Sequence, residues 1–236
     1  LPIISKYCRD NKILFICSPF YIEAVDLLIK NRCDIIKIAS PEIKNISLIK
    51  KVIKSELPII ISTGDTNKQI IKTALSNLKI NNYHKTAFLH CTSEYPCKFK
   101  NTNLLNLISL KEMVGKKISI GYSDHTVGID ASLIAVSMGA NIIEKHITLN
   151  KKSKGPDHFF ALDIKELKLM VNKIRDFEKM TGNFNKTRLK DENTVFINLF
   201  SNNKISKNTI IKKSDIICKR DYTNGINSIN ISSIIG

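Results

Sequence analysis

Residues 121–157 read GYSDHTVGIDASLIAVSMGANIIEKHITLNKKSKGPD, and they contain the unit that repeats through most of the chain. Two histidines, His125 and His146, each follow a short apolar run, and one helix-like segment closed by Gly139 lies between them. Two parallel strands joined by such a helical crossover end on the same edge of a sheet. The two imidazoles then stand side by side at that C-terminal edge, where they could hold one metal ion between them.

Working outward, the same alternation recurs. Strand-like apolar runs at 13–17, 34–39, 58–61, 86–91, 118–121 and 141–145 each end in polar residues, and helix-like runs cover 22–30, 46–53, 69–78 and 131–138. Near-continuous apolar strands separated by amphipathic helices imply a parallel sheet covered on its faces. About six strand–helix units fit an α/β fold of the (β/α)8 TIM-barrel type better than an open sheet. No GxGxxG turn argues for a dinucleotide fold. Six units are two short of eight, and the expectation is that the first two strands lie upstream of Leu1. An opened barrel would expose two strand edges.

After the last strand, Asp163 followed by Glu166 marks a helix start of the capping-box type. Ile164, Leu167, Val171, Ile174 and Phe177 form its expected apolar stripe. The predicted organisation is a partial barrel domain over residues 1–182, a polar linker over 183–193 and a small separate domain over 194–236. The last region carries β-like pieces at 195–200, 210–211 and 216–219 and a turn at Gly225.

Thirty-seven basic against 21 acidic residues give a net charge of +16 over 236 residues. The lysines are scattered among Ile and Asn, which reads as a solvated surface and not as a nucleic-acid footprint, although the field would draw in a phosphorylated substrate. Six cysteines without a CxxC read as reduced thiols in a cytoplasmic protein. No apolar run reaches the roughly 20 residues of a membrane span.

Catalytic groups of such barrels gather at the C-terminal strand ends. Here those ends supply Ser18, then Lys37, Ser40 and Glu42, then Ser62 and Thr63, then Thr92, Ser93 and Tyr95, then Ser123 and His125, and last His146. Hydroxyls, backbone amides and a lysine around one point suit a phosphate or carboxylate. Lys37, inside the apolar run IIKIAS, needs an anionic ligand or, on the alternative reading, a buried acid. His125 and His146 are metal ligands or core histidines. Asp124 and Glu144 are either partners that orient those rings or surface charges. His90 is expected to point into the barrel core, and His158 has no clear role. Asp157, in the Gly155–His158 turn, either lies over the site or serves only the turn.

The ordered motifs ICSPF, KIASPE, IISTGD, LHCTSEYP, GYSDHT, IIEKHITL and GPDH resemble the sialic acid synthase (nonulosonate synthase) family from about Cys17 to Asp163. TVFINLF, ISKNTIIKKSDI and KRDYTNGI resemble that family's linker and the start of its antifreeze-like (SAF) domain. The resemblance implies a transferase of the N-acetylneuraminate synthase type. It would condense phosphoenolpyruvate with an N-acyl hexosamine, either N-acetylmannosamine or a 2,4-diacetamido-trideoxyhexose, to a nonulosonic acid of N-acetylneuraminate or legionaminate type; the alternatives are another phosphoenolpyruvate or phosphosugar aldolase-type barrel, or a degenerate barrel acting as a binding module. It further implies that Ser18, Lys37, Ser40, Ser62 and Ser123 hold phosphoenolpyruvate, and that Ser93, Tyr95 and Asp157 contact the sugar. By the same resemblance His125 and His146 ligate a divalent metal, Mn2+ with Mg2+ or Co2+ as alternatives, and Glu42 deprotonates the water. The full-length protein is expected to be a domain-exchanged homodimer.

Overall fold

The computed structural model describes residues 1–78, 85–183, 185–187, 195–223 and 225–236, so residue 184 and residues 188–193 of the predicted linker lie outside the described chain. Two compact units emerge, Leu1–Gly182 and Asn183–Gly236.

In the first unit six strands form one sheet: β1 (Ile16–Cys17), β2 (Ile35–Ile38), β3 (Ile59–Ser62), β4 (Thr86–Cys91), β5 (Ser119–Asp124) and β6 (Ile142–Lys145). Each pairs in parallel with the next, and the spatial order equals the chain order. A sheet built in that order has no switch point, so it curls as part of a barrel and does not open as a doubly wound sheet. The helices α1 (Pro2–Asp10), α2 (Ile22–Lys30), α3 (Ile46–Ile53), α4 (Lys68–Leu78), α5 (Asn106–Val114), α6 (Asp130–Ser137) and α7 (Ile164–Thr181) complete the unit.

Strand residues alternate between two buried faces. Ile36, Ile38, Ile59, Ile61, Phe88, Ile120 and Tyr122 point outward and pack against helix residues such as Val25, Leu48, Val52, Ala74, Leu110 and Ala135. Ile60, Ala87 and Leu89 point inward, with Ile35 and Ile142 packed against them. Gly121 belongs to the inner face, where a Cβ would collide with the Ile142 carbonyl oxygen and the Leu89 side chain.

Two helices escape an apolar-periodicity reading. The inward face of α1 is polar: Ser5 is buried, donates from Oγ to the Asn31 carbonyl at 2.5 Å and accepts from Arg9 at 2.5 Å. In α5 only Leu107, Leu110 and Val114 are buried. The first strand is shorter than its apolar run, since Ile13 and Leu14 are exposed and only Ile16 and Cys17 pair. Asp163 and Glu166 form the expected capping box of α7, each accepting the other's backbone N–H at 2.9 Å. Of the predicted stripe, Ile164 and Val171 remain exposed, and Met170 is the buried residue.

In the second unit β7 (Phe196–Ser201) pairs antiparallel with β8 (Ile216–Asp221), while residues 210–211 form no strand. Asn198 is buried there and donates to the Thr223 carbonyl at 2.9 Å. No helix among the described residues is long and apolar enough to cross a membrane.

Phe88 is fully buried at the centre of the outer layer. Phe88→Ala should therefore cost about 3–5 kcal/mol in a urea unfolding titration, a loss beyond surface replacements. A loss under about 1 kcal/mol would contradict this packing.

Candidate active site

The inward residues at the C-terminal strand ends are polar, in contrast to the apolar layer beneath them. Lys37 is 7% exposed, and its Nζ donates to Ser62 Oγ at 2.8 Å. Glu144 on β6 lies 3.4 Å from Nζ through Oε2, and its Oε1 accepts from Ser123 Oγ at 2.7 Å. Lysine, carboxylate and two serines from β2, β3, β5 and β6 thus meet on one face. Sequence reasoning offered Glu144 only as a ring-orienting partner or a surface charge. It is the counter-ion of Lys37, although its side chain is 43% exposed and not the buried acid of the alternative reading.

Cys91, Ser40 and Ser93 gather around Gly64. Ser40 Oγ accepts the Gly64 N–H at 3.0 Å, and a Cβ on Gly64 would overlap Ser93 Oγ and come within 2.8 Å of Ser40 Oγ and 3.1 Å of Cys91 Sγ. The strand end thus needs a residue without a side chain at this point. Burial pushes the Cys91 thiol above its ordinary pKa, with the Ser40 and Ser123 hydroxyls acting in the opposite direction. Ser18 is half-buried just beyond β1. Glu42 lies on the 3-10 turn Ser40–Lys44, and its Oε2 accepts from Asn45 Nδ2 at 3.0 Å. The structure therefore gathers Lys37, Ser40, Ser62, Ser93 and Ser123 but leaves the Glu42 carboxylate turned toward the start of α3.

His125 and His146 meet as expected, their ring centroids 5.4 Å apart at an interplanar angle of 80°. His125 Nδ1 lies 2.9 Å from the Thr92 carbonyl oxygen, which can only accept, so the proton is on Nδ1 and Nε2 keeps its lone pair. His146 Nδ1 lies 3.5 Å from Asp157 Oδ2. Asp157 is thus brought to the site, from the loop that follows β6. Tyr95 covers His125, with centroids 4.0 Å apart, and Phe160 flanks His146 at 5.1 Å. Burial depresses the pKa of His125, the Thr92 carbonyl opposing it.

The donor set tests whether a metal fits. His125 has Nδ1 held by a carbonyl acceptor, the arrangement that orients a ligating imidazole and frees Nε2, while His146 has the Asp157 carboxylate near its Nδ1 without a hydrogen bond. At ~2.1 Å from nitrogen to metal, two rings on one ion have centroids at most about 6.4 Å apart, and the observed separation falls within that limit. No group of three or more His, Cys, Asp or Glu that could hold a metal occurs among the described residues, and two imidazoles by themselves fill only two positions of an ion. The residues fit a divalent ion held by two imidazoles.

Two other groups differ from their sequence readings, and His158, left without a role there, gains a partner. Asp124 is neither a surface charge nor a partner of His125; it is fully buried on the helix side, 2.9 Å from Lys145 Nζ. His90 also faces the helix layer and not the barrel core: it stacks on Tyr122 at 5.7 Å, and its Nε2 donates to the Thr102 carbonyl at 2.7 Å. His158 bonds Thr148 Oγ1 through Nδ1 at 2.7 Å and lines a cavity of about 250 Å³ with His146 and Asp157. The loop bearing Asp157 and His158 is tied at its base by Thr148 N to Leu162 O at 2.8 Å and Leu162 N to His146 O at 2.9 Å. A larger cleft of about 760 Å³ between α4 and α5 touches the rim at Cys91, Thr92 and Ser93 but holds none of the lysine, carboxylate or histidine pair just described.

A profile of the NeuB family matches residues 2–186. The chain is 40% identical to the N,N'-diacetyllegionaminic acid synthase of Campylobacter jejuni, over 98% of this chain and 70% of that one. It is 34% identical to the synthase of the same name from Legionella pneumophila, over 99% of this chain and 67% of that one. The solved N-acetylneuraminic acid (sialic acid) synthetase of Leptospira borgpetersenii superposes with a TM-score of 0.74 at 33% identity, over 81% of this chain and 66% of that one.

His90 and His125 both have pKa values held below the ordinary 6.5 by burial. Unfolded chains bind those protons first, so stability is fully present above pH ~6.5 and declines as the pH falls through the lowered values. Urea midpoints should drop between about pH 7.5 and 5.5, and His90→Gln should flatten the slope. Identical slopes in both proteins would refute the assignment for His90.

Proposed function

The chain belongs to the NeuB family, and we propose that it condenses phosphoenolpyruvate with an N-acyl hexosamine, forming a nonulosonic acid and releasing phosphate. The observation that carries this reading is the pairing at one rim of Lys37, Ser62 and Ser123 with two adjacent imidazoles, His125 oriented through Nδ1 and His146 beside Asp157. One half suits a substrate with a phosphate and a carboxylate; the other suits a divalent ion, which we propose to be Mn2+.

In this reaction Lys37 exchanges its contact with Glu144 for the phosphoenolpyruvate anion, and Ser18, Ser40, Ser62 and Ser123 complete the cradle. Ser93, Tyr95 and Asp157 hold the sugar. A divalent ion on His125 and His146 would polarise the aldehyde oxygen of the sugar. C3 of phosphoenolpyruvate bonds to the aldehyde carbon, the cation left at C2 adds the hydroxyl of water, and the proton that water releases balances the one the aldehyde oxygen takes up in becoming a hydroxyl. Loss of phosphate from that adduct gives the 2-keto acid. Glu42 is our candidate to accept the water proton, a role that requires its carboxylate to leave Asn45.

Two relatives bear the name N,N'-diacetyllegionaminic acid synthase, which favours a 2,4-diacetamido-trideoxyhexose over N-acetylmannosamine as acceptor. We read the unit Asn183–Gly236 as the start of an antifreeze-like domain, exchanged between the subunits of a cytoplasmic homodimer.

Phosphate release from phosphoenolpyruvate in the full-length protein tests the reading. With Mn2+ present, release should require a 2-acetamido sugar and be faster with the diacetamido acceptor. His125→Ala and His146→Ala should each abolish metal-dependent turnover with the circular dichroism spectrum intact; full activity in either would refute the metal site. Lys37→Met should weaken phosphoenolpyruvate binding about 10- to 100-fold by calorimetry. Borohydride capture of pyruvate on Lys37 would point instead to Schiff-base chemistry and overturn the proposal.

A further inference from the structure

Behind the two histidines, on the helix side of the sheet, lies a buried ion pair. Lys145 Nζ is 2.9 Å from Asp124 Oδ2, with the two side chains 3% and 0% exposed. The residues are direct register partners of β5 and β6. Each immediately precedes a histidine of the pair, and alternation turns the ion pair to one face and the imidazoles to the other.

The pair is the centre of a closed network. Asp124 Oδ1 accepts from the Thr126 N–H and Oγ1, both at 2.8 Å, and Oδ2 accepts from Ser132 Oγ of α6 at 2.6 Å. Lys145 Nζ also donates to the Thr126 carbonyl at 2.5 Å. His125 thus has both chain neighbours, Asp124 and Thr126, fixed to one lysine, and His146 is the residue next to that lysine.

Stability alone does not account for charges here. The outward residues that precede them on the same two strands are Ile120 and Tyr122 of β5 and Ile143 of β6, all apolar or aromatic and part of the outer core. Replacing a buried ion pair by apolar residues is often neutral or stabilising, because desolvation offsets the attraction. What an ion pair with directed hydrogen bonds adds over apolar packing is a defined geometry.

We propose that Asp124 and Lys145 are positioning residues that fix the spacing of His125 and His146 and so allow both to bind one divalent ion. This inference rests on the metal-site reading above.

The test is Mn2+ titration calorimetry on the intact protein and on its Asp124→Asn/Lys145→Met variant, with thermal melting alongside. The variant removes both charges but keeps an acceptor for the Thr126 N–H. It should melt as a folded protein, bind phosphoenolpyruvate as before, and bind Mn2+ about 10- to 100-fold more weakly, the range seen when groups supporting metal ligands are lost. Should that variant fail to fold, Lys145→Arg retains the charge and alters only the geometry, and it should show a smaller loss in the same titration. Wild-type Mn2+ affinity in a folded variant overturns the positioning role and leaves the metal site standing. No Mn2+ binding by the unaltered protein overturns both.

Discussion

Side chains alternate along a β-strand, and in β2 to β5 of this sheet neither face is left to water. The outward face packs against helices and is apolar along β2, β3 and β4 except at Thr86 and His90. The inward face is apolar only at its lower level, around Ile60, Ala87 and Leu89. Polar groups at the strand ends therefore have one direction in which they can meet a ligand. Of the polar residues that point outward, His90 is matched by the Thr102 carbonyl and Asp124 by Lys145, whereas the buried Thr86 hydroxyl has no hydrogen-bond partner. An unmatched group there would carry the desolvation cost of an orphaned buried donor, acceptor or charge.

The same alternation divides the site by strand. β2 and β3 contribute Lys37 and Ser62, while β5 and β6 contribute Ser123, Glu144 and the strand-end histidines. Glu144 links the halves, since one carboxylate receives both the Ser123 hydroxyl and the Lys37 ammonium. The lysine is thus balanced before any substrate arrives and remains at the position where an anion is needed, which is electrostatic preorganisation at modest cost.

Much of this could be read from residue order. Apolar runs of four to six residues ending in hydroxyls or histidines are a strong local signal, and so is the Asp163–Glu166 cap. The helices α1 and α5 were less legible because the buried face of the first is polar and that of the second is narrow. Which face a strand residue takes depends on register, and a shift of one position reverses it. That explains His90, which belongs to the outward set with Phe88 and Tyr122. Partners far apart in sequence were the least visible: Lys37 and Glu144 are matched only once the strands curl toward one another. Glu42 shows the opposite failure, a residue in the right motif whose carboxylate is engaged by a neighbour three positions on.

The loop after β6 has a thermodynamic consequence. Its two ends are joined by the Thr148–Leu162 and Leu162–His146 backbone bonds, and the bridge between Ile147 and Leu162 extends the sheet beyond β6. The conformational entropy of closing that loop is therefore lost when the chain folds and not when a ligand binds. Ordering of the ends of the segment that carries Asp157 is thus complete in the folded chain and adds nothing to the entropy cost of later binding there.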